Sequence, residues 1–444
     1  MQNRGVVNKS FYWTGFALLC AVVVVSYVNP GATGDATKIT PSKTLPNPLP
    51  PKIQAPFVCT SPSILATAAQ SQEIYQWIDI DDRNIIFVKK DTTTTKTELQ
   101  YYDLGDDGIP KTGDDRGPLT IFQPPLGEAI WPSRPRIFGK TIVFSVQKLS
   151  GAKDIYFYHL GNDGIGGINP KTGMNDDTFT ILYTFPSNLL FVGPRVNDHI
   201  VTFATGQGPY KLNQLFWCAT DVVNQGCFTP ATGLQTISPA AMGVSYQGDV
   251  MYDFMGSGNS AWRTFYSVVY PLYAGTNSMD VYYYYKDATT LKSGWVENVK
   301  NVEEILIDAI DGTTFMFIYY PQTSYYKGTV VAGHTWGQNV ITPFSQKDIP
   351  TYPFNPPWPF VRVSHRQING KYWAVWGGVY STDPAITVAD RGAAVNVQIP
   401  GANQQTWEYS YPTIDGAKDG SLVIIMEGVY NPRAQSLYWS RCTF

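Results

Sequence analysis

Short apolar runs recur along the chain, each entered through a small polar turn. Seven such units stand out: DIDDRNIIFVKK, PRIFGKTIVFSVQ, PRVNDHIVTFATG, SYQGDVMYDFMG, IDAIDGTTFMFIYY, RQINGKYWAVWGG and TIDGAKDGSLVIIMEG. A Gly, Asn or Asp turn feeding a run rich in Ile, Val and aromatic residues predicts the arm of a β-hairpin. The turn residues tolerate the required backbone, and the run suits a pleated, half-buried surface. Most units are followed by a second, aromatic strand, as in ELQYYDLG, KDIYFYHLG, NQLFWCATD, MDVYYYYKD and QSLYWSRCTF. The tyrosines of VYYYYKD at 281–287 are expected to fill a sheet interior. WVENVKNVEEIL is the one stretch expected to form a helix, of modest length.

Successive units begin roughly 50 to 65 residues apart, about the span of four short strands with a loop. The pattern predicts one all-β domain over residues 57–444, a β-propeller of about seven four-stranded blades. The fifth and sixth units have the weakest second strands, GTVVAG and AAVNVQIP. A closed ring must join its first and last blades, and the last unit ends in a strand that lacks an outer partner. Residues 57–71 are expected to supply it. The phrases PRIFGKTIVFSVQ with KDIYFYHLG, and PTIDGAKDGSLVIIMEG with QSLYWSR, resemble the repeats of TolB-type, WD-like β-propellers. In those repeats a Pro and a Gly turn precede the inner strand and an aromatic strand follows. The resemblance covers most of residues 73–444 and implies the propeller architecture alone. The repeated Ser-Pro-Asp-Gly turn of that family is missing, and a Pro-rich linker stands where TolB carries an α/β domain, so TolB's envelope partners are not implied.

Arg4 and Lys9 precede an apolar stretch at 11–28, and small residues follow it. This predicts a secretory signal peptide cleaved after Ala36, or an uncleaved membrane anchor, since about 18 apolar residues also come close to spanning a bilayer. Residues 1–29 are assigned to this leader and the Pro- and Thr-rich residues 30–56 to an extended linker. Either alternative puts the rest of the chain outside the cytoplasm. Cysteine usage fits that compartment. With Cys20 in the leader, Cys59, Cys218, Cys227 and Cys442 form an even set. FWCATDVVNQGCF makes Cys218 with Cys227 the economical bridge, and Cys59 with Cys442 would pin the ring closure, contributing roughly 4 to 5 kcal/mol in the entropic model.

Charge narrows the function classes. The formal net charge is −3 and no run of Lys and Arg occurs, so nucleic acid is excluded as a partner. Aromatic residues reach 14%, with 29 Tyr, which suits many short strands and aromatic contact surfaces.

One loop carries the densest chemistry. YYDLGDDGIPKTGDDRG at 101–117 returns in altered form as FYHLGNDGIGGINPKTGMNDDT at 157–178. The first copy offers Asp103, Asp106, Asp107, Asp114 and Asp115 with the hydroxyl of Thr112. The second offers Asn162, Asp163, Asn169, Asn175, Asp176 and Asp177, with His159 where the first has Asp103. Calcium takes six to eight hard oxygens in flexible geometry, and Asp and Asn clustered on a Gly-rich loop supply them. The alternative is a long hairpin connection in which Asp, Asn and Gly serve the turn. Mutual repulsion among five carboxylates favours a bound cation, with calcium as the expected cofactor.

Catalysis finds little support. His159, His199, His334 and His365 fall in different units, and no nucleophile elbow, zinc-protease motif or phosphate loop occurs. Asp79 with Asp81, and Glu303 with Glu304, are carboxylate pairs of the kind common on β-turns and solvated faces, which is too little for a glycosidase dyad. The expected contact surface is YPFNPPWPF, where Tyr352, Phe354, Trp358 and Phe360 alternate with prolines that hold the rings outward. The chain therefore reads as an extracytoplasmic, calcium-stabilised binding or scaffold module of the envelope or extracellular space. Its expected partner is a protein or polysaccharide, it meets the membrane through the leader alone, and self-assembly stays open. The alternatives are a polysaccharide-active propeller enzyme and the subunit of a surface filament or layer.

Overall fold

The computed structural model describes residues 58–206, apart from 132, 170, 189, 198 and 199, and beyond them the strands given below with the short stretches that flank β24, β25, β29 and β30. Chain contacts divide the protein into residues 1–47 and 48–444. The leader, the linker, Cys227, His365 and three of the four rings expected at 352–360 lie outside the described residues. Phe360 is described in its backbone only.

The described residues are almost entirely strand, with no α-helix among them. Two short strands come first, β1 (Val58–Cys59) and β2 (Ser63–Thr67). The first sheet follows in order: β3 (Glu73–Asp81), β4 (Asn84–Asp91), β5 (Thr97–Asp103) and β6 (Arg116–Phe122). The second has β7 (Ala129–Ile130), β8 (Arg136–Phe138), β9 (Thr141–Gln147), β10 (Lys153–His159) and β11 (Thr178–Phe185), with β7 and β8 sharing one edge of β9. The third runs β12 (Leu190–Asn197), β13 (Ile200–Gly206), β14 (Leu212–Ala219) and β15 (Gln235–Ile237). The fourth runs β16 (Gly256–Asn259), β17 (Tyr266–Tyr273), β18 (Ser278–Lys286) and β19 (Leu291–Lys300). The fifth comprises β20 (Val302–Asp311), β21 (Thr314–Pro321), β22 (Thr329–Thr335) and β23 (Thr342–Lys347). The sixth comprises β24 (Pro359–Val363), β25 (Tyr372–Gly378), β26 (Ala385–Asp390) and β27 (Ala393–Gln398). The last has β28 (Tyr409–Gly416), β29 (Leu422–Gly428) and β30 (Ser436–Thr443), and it takes β1 and β2 as further strands.

The helix expected in WVENVKNVEEIL is not formed. Its first residues end β19 and the rest open β20, each paired antiparallel with a neighbour. Val296, Val299 and Val302 meet a helical spacing only in part, and β-branched residues lose little by extending, so pairing decides.

Strands from the two ends of the described chain pair in one sheet. β30 pairs with β1 in the register Val58 to Thr443 and Cys59 to Cys442, and with β2 from Ser63 opposite Trp439 to Thr67 opposite Ser436. Cys59 and Cys442 form a disulfide, and Cys218 is disulfide-bonded as well. One buried cluster joins this last sheet to the first: Leu65, Ile80, Phe87, Val423, Ile425 and Leu437 pack together. Others join the sixth sheet to the last, the first to the second and the second to the third.

Polar groups cross the same seams. Asp415, at the end of β28, accepts the backbone N–H of Asp82 in the first sheet at 2.5 Å, and Asp81 accepts that of Gly139 in the second at 2.5 Å. Both carboxylates are buried. Buried backbone donors need acceptors, and an Asp at a turn reaches one sheet further than a backbone carbonyl can.

Candidate functional site: the repeated acidic loops

The two acidic loops are one structure built twice. Each leaves the third strand of its sheet through two glycines at positive φ, Gly105 and Gly108 in the first loop and Gly161 and Gly164 in the second. At Gly105 a side chain would meet the carboxylate of Asp114, with Cγ 2.1 Å from an ideal Cβ. At Gly161 it would meet Asp176, with Oδ1 at 2.0 Å. The carboxylates use that space to accept backbone N–H groups, Asp114 from Asp106 at 2.6 Å and Asp176 from Asn162 at 2.7 Å.

The correspondence extends further. Asp107 accepts from the N–H of Ile109 and Asp163 from that of Ile165. Asp115 accepts from the hydroxyl of Tyr102 at 2.9 Å and from the N–H of Lys111, and Asp177 from the hydroxyl of Tyr158 at 2.6 Å and the N–H of Gly167. The second loop is longer. Its extra residues are organised by Asn169, whose amide donates to Asp163 and whose side-chain oxygen accepts from Lys171. Asn175 accepts from the N–H of Asp177. Thr112 donates to Asp114 at 2.8 Å, which helps hold that carboxyl below its usual range.

The copies differ in how charge is met. In the first, Arg83 from the β3–β4 turn grips Asp103 through Nε at 2.5 Å and Nη2 at 2.8 Å, and Asp106 through Nη1 at 2.6 Å. A planar guanidinium answers two of the five carboxylates. In the second, Lys140 from the corresponding turn donates to the carbonyl of Asn162, and His159 replaces Asp103. Burial, and then Lys140, hold the His159 imidazole below its usual value. Asp177 keeps Oδ1 buried without a partner; burial raises its pKa, and Asp163 and Asp176 raise it further.

The site residues named from sequence are thus brought together loop by loop, mainly around the loops' own N–H groups. Among the described residues no three His, Cys, Asp or Glu side chains form a ready set of metal ligands, so a cation would have to draw on backbone and amide oxygens as well. Sequence reading missed Arg83 and Lys140, which lie some 20 residues from the groups they contact, the carboxylates of Asp103 and Asp106 and the carbonyl of Asn162. Their signal was present: each is the basic residue of the inner turn in a unit that carries an acidic loop.

Each loop also leans on the preceding sheet. Lys418 of the last sheet donates its N–H to the carbonyl of Asp107. Arg116 of the first sheet donates to the carbonyl of Ile168 at 2.7 Å, and Gly166 sits against the ring of Tyr101. Asp79, Asp81 and Asp103 are buried, and Asp79 and Asp81 contact the second sheet at separate points: Asp79 accepts from Ile137 and faces Arg136 at 3.6 Å. They form no dyad open to a substrate.

No protein-family model matches the chain, and no curated protein matches it. Its likenesses are to solved structures. It is loosely similar to TolB. The TolB in question, from Acinetobacter baumannii, is 10% identical with a TM-score of 0.36, covering 87% of this chain and 80% of that one. A prolyl endopeptidase is 10% identical with a TM-score of 0.37 over 82% of this chain, and the Pyrococcus horikoshii acylaminoacyl peptidase is 12% identical with a TM-score of 0.40 over 80%. The chain spans about half the length of these two peptidases, 54% and 49%.

Proposed function

We propose that the chain is a seven-bladed β-propeller that serves outside the cytoplasm as a binding or scaffold module. The observation that carries the architecture is the succession of innermost strands. β3 adjoins β8, β8 adjoins β12, and the series runs through β16, β20, β24 and β28 back to β3. Sheets placed radially around an axis give that cyclic order, and the shared last sheet with its Cys59–Cys442 bridge supplies the join. Three disulfide-bonded cysteines, Cys59 and Cys442 in one sheet and Cys218 in another, favour an oxidising compartment.

Calcium is proposed as the ligand of the repeated loops. What supports it is the surplus of carboxylates in the second loop, where Asp163 and Asp176 crowd the buried, unpartnered oxygen of Asp177. The thermal midpoint of residues 57–444 should rise and saturate with calcium and not with magnesium, and Asp177→Asn should remove the rise. A midpoint indifferent to calcium and chelator would assign the loops to turn chemistry alone.

The binding role is tested with the full chain and two envelope fractions, one of protein and one of polysaccharide. Saturable binding without release of reducing ends supports the module. Chain cleavage would put the polysaccharide-active alternative in its place, and no binding to either fraction would overturn the reading.

A further inference from the structure

We infer that Asn369 is a site of spontaneous deamidation, and that its conversion unties the sixth sheet from the last. Asn369 is followed by Gly370, the one Asn-Gly pair in the chain. It is exposed, in the turn between β24 and β25, at a φ of +52°, a left-handed conformation that Asn tolerates better than most residues.

This turn is seated on the last sheet. The side chain of Asn369 donates through Nδ2 to the carbonyl of Gly420 at 2.9 Å. The fit is close: a Cβ at Gly420 would stand 2.9 Å from Oδ1 of Asn369, and one at Gly416 would stand 2.7 Å from Cγ1 of Ile368. Ile368 is buried with Trp373, Ile414, Leu422 and Ile424, and its carbonyl accepts the indole N–H of Trp373 at 2.9 Å. The exposed amide of Asn369 therefore closes the end of a seam whose interior is apolar.

In deamidation the backbone nitrogen of residue 370 gives up its proton and attacks Cγ of Asn369. A C–N bond forms, the Cγ–Nδ2 bond breaks, and Nδ2 leaves as ammonia, with a five-membered cyclic imide left behind. Water then opens the imide at one of its two carbonyls, giving aspartate or, with the main chain rerouted through Cγ, isoaspartate. The reaction needs water alone, with no oxidant, metal or enzyme. Glycine in the following position favours the attack, because no Cβ crowds the nitrogen and the backbone reaches the required angles easily. The hydrogen bond to Gly420 must open first, and an exposed bond of this kind opens locally at little cost.

Both products work against the seam. A carboxylate has no N–H for the Gly420 carbonyl and sets a negative charge against that oxygen. Isoaspartate adds one carbon to the main chain next to Ile368, whose carbonyl and side chain are both already engaged.

The test keeps the full chain folded in mildly alkaline buffer, samples it over weeks and follows its peptides by mass spectrometry. The peptide holding Asn369 should gain the mass that separates an acid from an amide, and the converted chains should unfold at lower denaturant. Asn169 precedes a proline, which has no N–H to give, and should stay intact in the same digest. Gly370→Ala should slow the conversion about tenfold. Asn369→Asp should reproduce the earlier denaturant midpoint without any incubation. Asn369 left intact in the folded chain while it converts in the urea-unfolded chain would show that the turn protects it, and would overturn the site. Conversion that leaves the midpoint unchanged would overturn its role in the seam.

Discussion

The carboxylate of Asp415 accepts the backbone N–H of Asp82 at 2.5 Å, across a sequence separation of 333 residues and from the last sheet to the first. Asp81 repeats the contact one sheet on, with Gly139. Asp415→Ala should strand a backbone donor and lower stability by about 1–3 kcal/mol, read as an earlier denaturant midpoint. Asp81→Ala should do the same at the seam to the second sheet.

Stability should fall as pH rises from about 4.5 to about 7. Burial pushes the Glu427 carboxyl up to about 7, against the pull of Arg134 and of the N–H groups of Ile78 and Trp77. A carboxyl raised in the folded state binds its proton more tightly there than in the unfolded chain. Its contribution is fully present below the unfolded value and is lost through the folded one. Glu427→Gln keeps an acceptor for both N–H groups and should flatten this part of the pH profile. An unchanged slope in chemical denaturation across that window would show that Glu427 does not set it.

Gly105→Ala should destabilise more than Gly113→Ala. Both positions have positive φ, +73° and +100°, so backbone strain of about 1 kcal/mol is common to them. Only at Gly105 does a methyl group meet a carboxylate, that of Asp114, while nothing lies within 4 Å at Gly113. The excess, read from thermal midpoints, measures how firmly Asp114 is held.

Intact mass should show both Cys59–Cys442 and the bridge at Cys218 as oxidised, and the double change Cys59→Ser with Cys442→Ser should lower stability by up to about 5 kcal/mol. Loss of much less would indicate that β1 and β2 pair with β30 strongly enough without the covalent bond.

The hairpin strands were legible because they depend on local pattern. Turn residues mark the hairpins, and Cys59 and Cys442 sit at the two ends of the repeat. The stretch at 295–306 was misread because Val, Asn and Glu at mixed spacing satisfy a helix and a strand about equally until a neighbouring strand is present. Within the acidic loops the carboxylates were visible, yet Arg83 was not, since its link to Asp103 runs through hairpin geometry. The tie from Trp77 to Glu427 was beyond reach altogether, since the two stand 350 residues apart.

The shared last sheet also bears on how the protein is made. β1 and β2 are synthesised early but find their partner only when Ser436–Thr443 has left the ribosome or the translocation channel. Until then the nascent chain carries two unpaired strand edges, a waiting thiol at Cys59 and an open apolar seam around Leu65 and Ile80. Completion is a late, long-range event, and a protein of this kind depends on being kept soluble throughout its own translation.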